Sequence, residues 1–69
     1  MVKIGDYIIL DRTICEVTVI NYLENKISVK PLGSVLKEMG YFSIKFEDLK
    51  SLKVLGNPKE NDALRLLYG

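Results

Sequence analysis

"SIKFEDLKSLKVLG", residues 43–56, admits two readings that lead to different folds. Phe46, Leu49 and Leu52 recur every third residue, the rhythm of a helix ended by Gly56. Taken together with Phe42, the stretch alternates instead. Phe42, Ile44 and Phe46 fall on one side and Ser43 and Lys45 on the other, the rhythm of a strand. Alternation over "YFSIKF" is strict, whereas the three-residue rhythm begins only at Phe46. "FEDLK" then fits one 3₁₀ turn and "SLKVL" a further short strand. Strand, tight turn, strand is the expectation, and with it a mainly β chain.

The segments upstream agree. Gly5 and Asp6 open "DYIILD", where Ile8 and Leu10 point one way and Tyr7 and Ile9 the other. Both faces are apolar, so this strand is expected to be covered twice. "DRT" makes a short turn. "ICEVTVINY" places Cys15, Val17 and Val19 inward and Glu16 and Thr18 outward; "KISVKP" places Ile27 and Val29 inward and Lys26, Ser28 and Lys30 outward. Inward residues must face inward residues across a hairpin. That parity allows a three-residue loop, Leu23-Glu24-Asn25, or a five-residue loop, Asn21 to Asn25, and is violated by two or four. Three is preferred, because Asn25 tolerates the left-handed conformation that closes such a loop. It pairs Tyr22 with Lys26 and Ile20 with Ser28. Pro31 ends the pairing or marks an edge.

"GSVLKEMG" reads as a short helical turn over about 34–39, with Ser34 as cap and Val35, Leu36 and Met39 as an apolar lid. "NPKENDALRLLYG" predicts a C-terminal helix over about 58–68. Asn57 would be its N-cap, Pro58 its first residue and Glu60 the partner in a capping box. Ala63, Leu64, Leu67 and Tyr68 form its stripe. The chain is thus one domain, with a barrel over 1–56 and a helical tail over 57–69.

Five short strands with "FEDL" before the last resemble the SH3-like small barrels. "IGDYIIL" looks like their first strand, and "FSIKFEDLKSLKV" like their fourth strand, 3₁₀ turn and fifth strand. The resemblance covers roughly residues 3–55 and implies a five-stranded small barrel that acts as a binding module. Signalling members hold proline-rich peptides in an aromatic groove behind a long first loop. Here that loop is about three residues and the chain has no Trp, so proline-peptide binding does not carry over. Nor does the reductase activity of the plasmid-borne type II dihydrofolate reductases, whose Val-Gln-Ile-Tyr strand is replaced by Ser43-Ile44-Lys45-Phe46.

Composition narrows the chemistry. The 69 residues contain no His and one Cys, so the commonest general base, metal ligand and thiol activator are missing together. Cys15 lies on an inward face, where a lone thiol behaves as a small hydrophobe. Glu47 and Asp48 are neighbours in a surface turn and diverge. The expectation is no catalytic residue, no metal and no cofactor. The longest apolar run, Tyr7–Leu10, is far short of the roughly 20 residues that span a bilayer. Asp6 arrives too early for a signal-peptide core, which leaves a cytoplasmic setting without membrane contact as the expectation.

Two surfaces remain. Lys26, Lys30 and Lys45, with Tyr22 and Tyr41, would mix cations and rings on the outer sheet face, as nucleic-acid binders do. Leu64, Leu66, Leu67 and Tyr68 on the terminal helix would either complete the core or project toward a partner. Ten Lys and Arg against nine Asp and Glu give a net charge of +1, low for a phosphate binder. Binding to a protein, including a second copy of this chain, therefore ranks first and nucleic acid second.

Overall fold

The computed structural model describes residues 1–32 and 40–68. Its elements in chain order are β1 (Tyr7–Leu10), β2 (Thr13–Asn21), β3 (Lys26–Pro31), β4 (Phe42–Lys45), a 3₁₀ helix (Phe46–Ser51), β5 (Lys53–Gly56) and α1 (Asp62–Tyr68). The helical turn expected at 34–39, with its lid of Val35, Leu36 and Met39, lies outside the described residues. All pairings are antiparallel, in the order β4-β3-β2-β1-β5. The sheet is not closed: no ladder joins β4 to β5.

The opening stretch resolves as strand, 3₁₀ turn, strand. Ile44 is buried, Phe42 and Phe46 are half-buried, and Ser43 and Lys45 are exposed. Leu49 and Leu52, the other members of the three-residue rhythm, pack against the core from the 3₁₀ turn and just beyond it. Both rhythms were real, and each belonged to a different piece of chain.

The central hairpin departs from the expected pairing. Asn21 faces Lys26 and Ile20 faces Ile27, around the four-residue loop Tyr22–Asn25 that simple parity disfavours. A bulge restores the parity: the register shifts between Val17 and Val19, leaving Thr18 without a partner residue. The Thr18 hydroxyl donates to the Ser28 carbonyl at 3.1 Å, which holds the extra residue. Ile20 thereby turns to the core beside Val17, and Val19, expected inside, is 53% exposed. Asn25 is left-handed as expected, with φ 55°. Asn21 Oδ1 accepts the Glu24 N–H at 3.0 Å and tightens the loop.

The core is Val2, Ile8, Cys15, Val17, Ile27, Val29 and Ile44. Each large aliphatic side chain buried in this way contributes about 1.5–3 kcal/mol relative to leaving it in water. β1 is covered on both faces: Ile8 is in this core and Tyr7 is buried on the opposite side. Pro31 is buried at the end of β3 and pairs with Cys15, and the ladder continues past it through Leu32 N–H to the Ile14 carbonyl at 3.0 Å.

The terminal helix is shorter than expected, Asp62–Tyr68 rather than 58–68. Asn57 does not cap it. Its Oδ1 accepts the Lys59 N–H at 3.0 Å and its Nδ2 donates to the Ile4 carbonyl at 3.2 Å, pinning a turn over 57–60 to the N-terminal segment. Glu60, expected in a capping box, instead meets Lys3 Nζ at 2.6 Å. Asn61 is the N-cap, accepting from Ala63 at 3.0 Å and Leu64 at 3.4 Å.

Candidate functional site

The terminal helix holds its four named residues in different environments. Leu64 is buried, with its Cδ1 3.5 Å from where a Cβ on Gly56 would lie. Tyr68 meets Tyr7 edge-to-face at 6.3 Å. Leu67, part of the expected docking stripe, is 71% exposed, and Leu66 is 85% exposed. Seven residues make barely two turns, so a single leucine and one ring contact seat the whole element, and the adjoining leucines are left in water.

The five residues of the outer sheet face are brought together only in part. Lys26 and Lys45 are direct cross-strand partners between β3 and β4, with Ser28 opposite Ser43 next along. Like charges in that position repel. Lys30 faces Glu16 across the β2–β3 ladder, and Lys26 Nζ lies 3.6 Å from Glu24. Tyr41 is exposed just before β4. Tyr22 takes a different direction: its ring packs edge-on against Phe46, a core-side residue, at 6.0 Å.

A feature the sequence reading missed is an apolar groove of about 540 Å³, lined by Met1, Val2, Phe46, Leu49, Lys50 and Val54. Val54 is the cross-strand partner of Ile8, so the groove opens on the core side of the sheet, beside the unpaired edge of β5. It draws on the N-terminal segment, the 3₁₀ turn and β5, which only tertiary structure makes neighbours. The sole hint in the sequence was that the rhythm of Phe46 and Leu49 offered more apolar surface than a surface turn needs.

Cys15 is buried, and desolvation pushes its thiol above the usual range. Glu47 and Asp48 are exposed in the first turn of the 3₁₀ helix. Asp6 is buried; its Oδ2 accepts the Lys3 N–H at 2.8 Å, while Oδ1 has no partner among the described residues. No three of His, Cys, Asp or Glu gather into a metal-binding group among the described residues. No helix among them is long and apolar enough to cross a membrane. Comparison with protein-family models, with curated proteins and with solved structures finds no match.

Proposed function

We propose that this chain is a non-enzymatic binding module, an SH3-like small barrel whose terminal helix engages another protein. The exposure of Leu66 and Leu67, side by side on a helix already anchored by Leu64, is the observation that carries this reading. Single exposed leucines are ordinary on protein surfaces, whereas these two present side chains about 100° apart around a helix that Leu64 already seats, leaving a broad apolar surface beside the docked face. The barrel assignment is supported by the placement of β5 beside β1 and by the 3₁₀ turn that joins the two outer strands. A cytoplasmic setting goes with it, supported by the single unpaired cysteine.

The test is capture of partners from the native source by the full chain and by a Leu66→Glu/Leu67→Glu variant. Retention of the unfolding midpoint with loss of a partner supports the module. A variant that keeps every partner overturns it.

One observation favours a second reading. Lys26 beside Lys45 is an unfavourable pair that a phosphate would relieve. Nucleic-acid binding by this face, with Lys30 and Tyr41, would be largely sequence-independent. It would weaken with salt by a slope of roughly −0.7 to −0.9 per phosphate neutralised. Glu16 and Glu24 next to these lysines place this reading second. Titration with short single- and double-stranded oligonucleotides at low salt decides it, since absence of binding at high micromolar protein removes it.

A further inference from the structure

We propose that the groove of one copy of this chain receives the Leu66–Leu67 ridge of a second copy, so that the partner of the binding module is the chain itself. The inference rests on the reading of the terminal helix given above.

A chain cannot make this contact with itself. Leu64 and Tyr68 seat the helix over Gly56 and Tyr7, which are cross-strand partners and so share a face of the sheet. On β1 the next residue, Ile8, points to the opposite face and pairs with Val54, which lines the groove; a bulge between the two pairs leaves Leu55 without a partner in the ladder. The helix is therefore held on one side of the β1–β5 ladder and the groove opens on the other. A second copy brings the ridge without disturbing either anchor.

The chemistry of the two surfaces agrees. Five of the six described lining residues are apolar, and the ridge offers two leucines. Lys50 is the one charged side chain among the described lining residues and forms no ion pair among the described residues. The ridge sits at the C-terminal end of α1, where backbone carbonyls lack helical partners and the helix dipole is negative. Arg65, the cation of α1, is already held by Asp62 at 2.6 Å, so it does not oppose Lys50. Because ridge and groove lie on opposite faces they meet head to tail, so each copy binds one neighbour through its groove and another through its helix.

Sedimentation equilibrium of the full chain from micromolar to millimolar concentration should show reversible association, from monomer through dimer to longer head-to-tail oligomers. Leu66→Glu/Leu67→Glu removes the ridge and Val54→Glu removes the groove; each should be monomeric. Lys50→Glu changes only an exposed charge and keeps the test valid if Val54→Glu unfolds; it should weaken association by about tenfold or more. Mixing the ridge variant with the groove variant should restore a heterodimer, because one intact groove and one intact ridge remain. A wild-type chain that stays monomeric overturns the inference, while the binding module survives if capture of another protein still depends on Leu66 and Leu67. A dimer lost in the ridge variant, unmoved by Val54→Glu and Lys50→Glu and not rescued by mixing, also overturns it, since that pattern belongs to ridge meeting ridge.

Discussion

Asp11 and Arg12 connect β1 to β2 with φ of 48° and 65°, both in the left-handed region. Two-residue hairpins need this geometry because its twist matches that of the strands, yet Arg adopts it only at a cost in backbone energy. Arg12 is exposed and forms no ion pair among the described residues. Arg12→Gly should therefore stabilise the fold by up to about 1 kcal/mol, net of the larger freedom of the unfolded chain. Chemical denaturation measures it, and a loss of stability would show that the side chain is in use. Cys15 gives a second expectation. Burial keeps its proton on above the ordinary value of 9.0. Above that pH the unfolded chain has lost the proton and the folded chain still holds it, so the folded state binds more protons. The contribution is complete below pH 9.0 and is lost as pH rises through the higher folded value. Alkylation of the thiol should track global unfolding. Fast labelling of the native protein would contradict its burial.

At the scale of elements, α1 is the least secured. Its seven residues are too few for independent stability, so docking must supply what propensity does not. Leu64 supplies most of it. Leu64→Ala should cost about 2–5 kcal/mol, or detach the helix and expose Tyr7. Leu67→Ala should stay within about 0.5 kcal/mol, as exposed substitutions do. Equal effects at the two positions would mean that the helix is seated on a different face. The β2–β3 hairpin shows a complementary point. Its inward residues Cys15, Val17, Ile27 and Val29 were legible from alternation alone. The Thr18 bulge was not, because alternation carries no marker for one residue inserted within a β-branched run. The four-residue loop and the outward turn of Val19 both follow from that residue.

For the whole molecule, electrostatics contribute little to stability. The ion pairs among the described residues, Lys3–Glu60, Lys26–Glu24 and Arg65–Asp62, are all well exposed. Such pairs are worth about 0–1 kcal/mol and are screened within about 8–10 Å at ordinary ionic strength. Thermal and chemical midpoints should be nearly unchanged between low and half-molar salt. A large loss on adding salt would assign the ion pairs a weight that their exposure denies. The two edge strands, β4 and β5, are four residues each and carry Lys45 and Lys53. Short, charged edges resist the addition of a further strand. Association is therefore expected through the helix and the groove rather than by extension of the sheet.

The sequence by itself determined a mainly β chain of five strands, the 3₁₀ turn at "FEDL" and the inward side of most strands. All of these follow from local alternation and turn chemistry within a few residues. Local signals pointed to Asn57 as the cap of the last helix, with Pro58 and Glu60 behind it. The Ile4 carbonyl, distant in sequence, takes Asn57 and leaves the helix to Asn61. Tertiary structure likewise decided which leucine is buried, which of Lys26, Lys30 and Lys45 has an acidic neighbour, and that a groove exists at all. Each depends on surfaces meeting across long stretches of chain, and a periodic pattern records only which side of its own element a residue occupies.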